Sequence, residues 1–505
     1  VSKSDPVKYI VFGVIIAFPL AGLILSIALR NHPRIKGFLT AFAALGVLLL
    51  FAVPFTGLSV VIIHQSMHKH DWLSVLFALP FLTVGLAFFS GIFLGTPTLL
   101  QQAHRRAELP DQPWLWDHDW ASGLVPADGA RVALGAWLFA LVWNGISWCA
   151  VIGAYERSPN VHIPLPVAMI FPAIGLAMLA WAVAATLQRL RFGKCTLRLH
   201  TLPASPGGAL SGVVQIDRAI VPAGPTRLRL SCTEFTRSGK NSQQRLIYED
   251  EQQLDALPHA ARGTEVPVYF NLPQQCSCTS TDGFRSIDWR LEARVPTAGM
   301  TCRSRYRVPV FQTTAQVHAP DIAAPYRHHD TIADPVQLPG VSITRLAGNG
   351  RVFHFAAGRN VASAAMLTAA SLLLNVGALF LLQSKSTLGG GIVFTLIAVV
   401  FDMLTVNAWL SSTTLTIRPG RLLRDAGLPL MHFQRTYSID EIEDIGCEIA
   451  GQTFSTTMYA VYLLIDGSRK RLVSNIPGRL NAERVCAQIS DSVGFEPEAT
   501  ASQTA

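Results

Sequence analysis

The sequence predicts an α-helical membrane bundle of about seven spans, with an all-β sandwich set into it and a small β-barrel plus helix near its C-terminal end. Three observations carry this prediction. Half of the residues are hydrophobic and 15% are charged, with a mean hydropathy of +0.34, whereas ordinary soluble chains carry about 25% charged residues. Apolar runs of about 20 residues, the length that crosses a bilayer core, recur along the 505 residues. From 192 to 311, and again after 411, they give way to short strand-forming segments separated by Gly, Pro and polar turns.

The formal charge of +8 and pI near 9.2 do not indicate nucleic-acid binding. Many Lys and Arg residues flank apolar runs, where they report topology, and no basic block is interleaved with aromatics. Eight cysteines, at 149, 195, 232, 276, 278, 302, 447 and 486, show no repeated CxxC; such scatter predicts reduced thiols rather than a disulfide framework.

Residues 1–100 are expected to hold three transmembrane helices, over Tyr9–Leu29, Phe38–Ile63 and Leu73–Leu100. The first exceeds the ~7–15 residues of a signal-peptide core and is followed by Arg30, Arg34 and Lys36 rather than a small-residue cleavage site, so a retained helix is expected. Between the second and third spans, His64 and His68 have the i, i+4 spacing that can share a metal on one helical face, with His70 close by. Polar residues ending two helices, with Trp72 as an interfacial anchor, weigh more heavily.

Residues 101–130 form a Trp-rich interfacial loop, with Trp114, Trp116 and Trp120 among Pro and Asp. Such rings are costly to leave in water, which places the loop at the membrane surface or against the β module. Asp117 and Asp119 are weak acid–base candidates. Residues 131–190 carry two more spans, Val132–Ala154 and Ile163–Leu187, the first with Asn144 inside it.

Residues 191–312 are the sandwich, with strands expected at Thr196–His200, Leu210–Ile216, Thr226–Thr233, Arg245–Glu249, Val266–Leu272, Ile287–Val295 and Tyr306–Phe311. Cys276 and Cys278, with Cys232 or Cys302, are weak soft-metal candidates, since buried thiols on alternating strands are commoner. Residues 313–360 are read as a connector containing His328-His329-Asp330, and 361–411 as a transmembrane hairpin of Val361–Leu382 and Gly391–Leu410. An Asp inside a span is costly and functional by default, so Asp402 is singled out with Asn144 and Asn375 as partners; interhelical glue is the favoured role. Residues 412–496, with Thr414–Arg424 and Gly427 followed by strands over His432–Tyr437, Ile442–Ile449, Met458–Asp466 and Lys470–Asn475 and a helix near Leu480–Val493, suggest a pleckstrin-homology-like barrel. Arg469, Lys470 and Arg471 could meet anionic headgroups there. Residues 497–505 are read as a disordered tail.

Pro113-Trp-Leu-Trp116, Asp119-Trp120-Ala-Ser-Gly123, Trp143-Asn144 with Ser147-Trp148, Tyr248-Glu-Asp-Glu251 and Gly263–Pro267 together resemble a bacterial membrane-protein family known only as a domain of unknown function. The resemblance runs from about 100 to 311, less sharply to the end, and supplies no catalytic residues. The Gly207–Gly212 start, Leu230-Ser-Cys232, Trp289-Arg-Leu291 and Val308-Pro-Val-Phe311 also resemble an arrestin-like sandwich, which implies a binding module.

Arg189, Arg191 and Lys194, then Arg345, Arg351 and Arg359, then Arg418, Arg421 and Arg424 place the β domains and C-terminus in the cytoplasm and the N-terminus outside. Lys3 and Lys8 vote the other way. No GxSxG, HExxH, Walker or Rossmann pattern occurs. The expectation is therefore a non-enzymatic inner-membrane scaffold or adaptor, without cofactor, that meets membrane lipids and a protein partner at the cytoplasmic face. A transporter or channel using Asp402 and Asn144, and a hydrolase with an unrecognised site, are the alternatives.

Overall fold

The computed structural model describes residues 33–157, 168–238, 241–258, 263–282, 285–313, 319–328, 340–346, 350–382, 388–429, 431–453 and 456–494. The expected span Tyr9–Leu29 and the expected tail 497–505 lie outside them. The chain divides into two compact units, residues 1–248 with 253–327, and residues 249–252 with 328–505. Among the described residues, five helical stretches are long and apolar enough to cross a membrane: Trp72–Glu108, Gly129–Gly153, Ile170–Phe192, Val361–Leu379 and Gly389–Leu410.

In the first unit, α1 (Pro33–His68) and α2 (Trp72–Glu108) form a hairpin. Asp71 caps α2, its carboxylate accepting from the Ser74 backbone N–H at 3.3 Å and from the Ser74 hydroxyl at 2.7 Å. A short α3 (His118–Ala121) and strand β1 (Leu124–Pro126) precede α4 (Gly129–Arg157) and α5 (Ile170–Phe192). Residues 163–167 of the run expected at 163–187 lie outside the described residues, and α5 continues past Leu187 to Phe192. It stops where Gly193 turns to φ +74, a left-handed conformation that glycine adopts without Cβ strain, while the Gly193 N–H still bonds the Arg189 carbonyl.

The sandwich comprises β2 (Cys195–Leu199), β3 (Ala209–Ile216), β4 (Thr226–Ser238), β5 (Asn241–Leu254), β6 (Thr264–Asn271), β7 (Ser280–Asp282), β8 (Arg285–Thr297) and β9 (Met300–Arg307). One sheet runs β1-β2-β3-β6, and the other β5-β4-β8-β7 with β9 also on β8. Alternation along β8 sends Ile287, Trp289, Leu291, Ala293 and Val295 inward, onto Leu228, Leu230 and Cys232 of β4. The Trp289 indole N–H finds the Ser277 carbonyl at 2.8 Å, which satisfies the one polar atom of a fully buried ring.

In the second unit, β10 (Val341–Arg345) and β11 (Arg351–Phe355) lie inside the stretch read as a connector. After β11 come α6 (Val361–Leu382) and α7 (Leu388–Leu410), then β12 (Ser412–Arg418), β13 (Arg421–Leu428), β14 (Met431–Ser438), β15 (Asp444–Thr453), β16 (Thr456–Ile465), β17 (Ser468–Pro477) and α8 (Arg479–Val493). The sheet order is β10-β11-β12-β13-β14, with β15-β16-β17 as a second sheet. The apolar hairpin is therefore inserted between two strands that pair directly, Phe355 with Thr413 through Arg351 with Ile417. Phe353, Phe355, Leu415, Ile417 and Leu422 share a core with Val461 and Leu463 of β16 and with Ala482, Val485 and Ile489 of α8.

Candidate functional site

The chemistry of this chain concentrates at one strand edge of the first unit. Among the described residues β9 pairs with β8 on one side only, and a free edge exposes unpaired backbone groups. Here alternate carbonyls of that edge are taken in turn. Gln188, near the C-terminal end of α5, donates to the Arg303 carbonyl at 3.0 Å. The backbone N–H of Asp128, immediately before α4, donates to the Arg305 carbonyl at 3.2 Å. The Trp120 indole donates to the Arg307 carbonyl at 3.1 Å. Arg191 adds a bond to the Ala298 carbonyl in the β8–β9 turn at 2.7 Å. The edge strand is thus closed by the ends of two membrane-length helices and by the Trp-rich loop.

That loop belongs to the sandwich. Trp120 lies in its core, 7% exposed, against Phe311, which Trp114 also approaches at 5.9 Å between ring centroids. Of the two places expected for the loop, the membrane surface or the β module, Trp120 lies against the β module, because β1 pairs with β2 and carries the adjoining segment onto the sheet. Trp114 and Trp116 are half-buried; the Trp116 indole bonds the Leu109 carbonyl at 2.7 Å, and the Arg106 guanidinium sits 5.2 Å from its ring centroid. Asp117 caps α3 through the Asp119 N–H at 2.9 Å, and Asp119 faces Arg131 at 3.8 Å, so both carboxylates have structural roles.

The outer face of β8 and β9 is an arginine ladder that the sequence reading did not single out. Arg290 stands opposite Arg307, Glu292 opposite Arg305 and Arg294 opposite Arg303. The buried Glu292 carboxylate accepts from Arg294 at 2.6 Å and from Arg303, and lies 3.4 Å from Arg305. Asp288 takes Arg290 at 2.7 Å and Arg307 at 3.1 Å. Burial pushes Glu292 up, but the hydrogen bonds and charges of Arg294 and Arg303 outweigh it and hold the carboxyl below its ordinary range. The signal was the alternation Arg303-Ser-Arg305-Tyr-Arg307, whose even positions Ser304 and Tyr306 are buried. Arginine is a poor strand marker, so the expected strand was placed at 306–311 instead of 300–307.

The polar residues inside the apolar helices separate into two local arrangements. In the first unit the Asn144 side-chain amide donates to the Ala140 carbonyl of its own helix at 2.7 Å and to the Gly175 carbonyl of α5 at 2.8 Å. A Cβ on Gly175 would lie 2.6 Å from Asn144 Oδ1, so glycine is what lets these helices approach. In the second unit the Asn375 amide of α6 donates to both oxygens of Asp402, at 3.0 and 3.2 Å, and the Ser371 hydroxyl donates to Oδ1. Asp402 thus has Asn375 as a partner, while the Asn144 amide is engaged within its own helix pair.

His64 and His68 do share a face, with rings packed edge-on at 4.6 Å, and His70 sits in the following turn at φ +54. Among the described residues no group of three or more His, Cys, Asp or Glu side chains is placed to hold a metal. All eight cysteines are free thiols. Burial pushes Cys276 up to about 11 and Cys232 up to about 12, and raises Cys278, which opposes the thiolate a metal needs. Cys302 is hydrogen-bonded to Cys195 rather than grouped with Cys276 and Cys278. His329 and Asp330 lie outside the described residues. In the second unit, Arg469 and Arg471 reach Glu448 at 3.6 and 2.8 Å, and Arg469 also covers the Tyr462 ring.

No protein-family model and no curated protein matches the chain. Among solved structures, it is similar to the crystal structure of Spo0M, a sporulation control protein from Bacillus subtilis, with 11% identity and a TM-score of 0.17 over 48% of this chain and 89% of that one.

Proposed function

We propose that the chain is a non-enzymatic scaffold or adaptor of a bacterial inner membrane, presenting two β domains at the cytoplasmic face to protein or lipid partners. The reading takes the first as an arrestin-like sandwich and the second as a pleckstrin-homology-like barrel, within a membrane-protein family of unknown function. The observation that supports it most is the closure of the β9 edge by Gln188, Asp128 and Trp120. It fixes a binding-type fold directly to the ends of apolar helices, and sites held on rigid elements are the precise ones. The cytoplasmic orientation follows the clustering of Arg beside the helix ends.

The transport alternative draws on Asp402, which lies eight residues, about 12 Å of helix rise, from the end of α7. Its partners Ser371 and Asn375 are neutral side chains of the adjacent helix, an arrangement suited to holding two helices together. The deciding experiment is ion and proton flux through the full-length protein in liposomes. The scaffold reading expects flux indistinguishable from empty liposomes for the wild type and for Asp402→Asn, both correctly folded. Wild-type flux that Asp402→Asn abolishes would replace the scaffold with a transporter.

A further inference from the structure

We propose that the arginine face of β8 and β9 binds the phosphate groups of anionic phospholipids in the membrane that the chain's helices enter. The inference names a ligand class for the scaffold and rests on that reading's membrane anchorage. Its first support is charge. On β8 and β9, Arg290, Arg294, Arg303, Arg305 and Arg307 stand on this face against Asp288 and Glu292, so basic residues outnumber acids by three on these two strands, and Arg227 and Arg229 of the neighbouring β4 pair with Arg294 and Glu292 on the same face.

The second support is the cost of the arrangement. Arg290 opposite Arg307 and Arg294 opposite Arg303 are like-charge cross-strand pairs, which destabilise a sheet. An anion on this face would relieve the repulsion, and the guanidinium fork matches phosphate oxygens in pairs. The Arg290, Arg305 and Arg307 side chains remain 40–46% exposed, open to a ligand.

The third support is position, which selects a lipid over a free anion. The same residues that carry the ladder, Arg303, Arg305 and Arg307, offer their carbonyls to the end of α5, the start of α4 and the Trp-rich loop. Arg189 and Arg191 of α5 mark where that apolar helix leaves the hydrocarbon. The ladder therefore stands beside the level at which lipid phosphates lie, where each arginine near an anionic surface contributes about fivefold in binding.

The test uses the full-length protein purified in detergent, with bound phosphatidylglycerol and phosphatidylcholine counted by native mass spectrometry across a salt series. The wild type is expected to retain phosphatidylglycerol preferentially, less so as salt rises. Arg290→Gln/Arg305→Gln/Arg307→Gln should lower that preference by about fivefold per arginine removed, and the matching triple Lys variant should fall between. Equal retention of the two lipids by the wild type overturns the proposal, as does an undiminished preference in the Gln variant. If the Gln variant melts early, the wild-type salt series and Arg305→Gln alone decide, and salt-independent retention overturns it. Binding of inorganic phosphate with no lipid preference also overturns it. Release of the chain from membranes by alkaline carbonate would instead sink the anchored scaffold itself, which separates the two failures.

Discussion

The sandwich meets its helices through side chains and free backbone groups along one strand edge, whereas the C-terminal domain encloses its hairpin within its own strand order. In the first unit the ties are separate hydrogen bonds, from Gln188, Asp128, Trp120 and Arg191, each contributing on the order of 1 kcal/mol. In the second, α6 begins a few residues after β11 and α7 ends one residue before β12, and β11 and β12 pair over five positions. A strand ladder cannot slip by one residue without turning its buried face outward. The first joint can be loosened bond by bond, while the second holds or fails as a whole.

The largest expected effect tests that claim. Leu415→Pro places a residue without an N–H in a strand paired on both sides and removes a fully buried side chain; each change alone costs about 2–5 kcal/mol. Limited proteolysis of the full-length protein should then show cleavage within 412–494 while the sandwich stays resistant. Survival of the second domain would show that its strand continuity is dispensable.

Trp120→Ala comes next, at about 3 kcal/mol from the emptied core site, plus the lost bond to Arg307. Thermal melting should show the sandwich weakened but folded, with the 109–123 segment newly sensitive to protease. Total unfolding would mean that this joint, too, behaves as one piece.

The smallest effect is acid sensitivity. The Glu292 carboxyl is held below its ordinary range by Arg294 and Arg303, so its contribution is present above the unfolded carboxyl pKa, near ~4.3, and is lost as pH falls through the lower folded value. The wild-type sandwich should lose stability across that range, and Glu292→Gln should be less stable near neutrality yet flatter in acid. Parallel curves for the two proteins would remove Glu292 from the account.

Legibility followed the physical signal each element carries. Apolar runs such as 361–382 and 391–410 were readable because membrane length and composition both mark them, and β8 was readable from its Ile287, Trp289, Leu291 alternation. β9 was displaced because its inward positions are Cys302, Ser304 and Tyr306 and its outward ones arginines, a pattern with little strand propensity. β10 and β11 were read as connector because their partner β12 lies across the hairpin, beyond any local window. Asn375 with Asp402 was legible from the rarity of polar groups in apolar runs. The arginine ladder was not, since its meaning appears only when two strands bring Arg290 to Arg307 and Arg294 to Arg303.

The hairpin's place between β11 and β12 also orders events at the ribosome. β10 and β11 leave the tunnel before α6 and α7, and their neighbour β12 is not yet made. The five-stranded sheet therefore closes only after the whole hairpin has been synthesised, and non-local pairings of this kind form late. Until then Phe353 and Phe355, fully buried in the finished domain, have no core to enter. A folded second domain is in this sense a receipt for a completed hairpin, and a chain stalled inside α7 would expose two bare strands to cellular quality control.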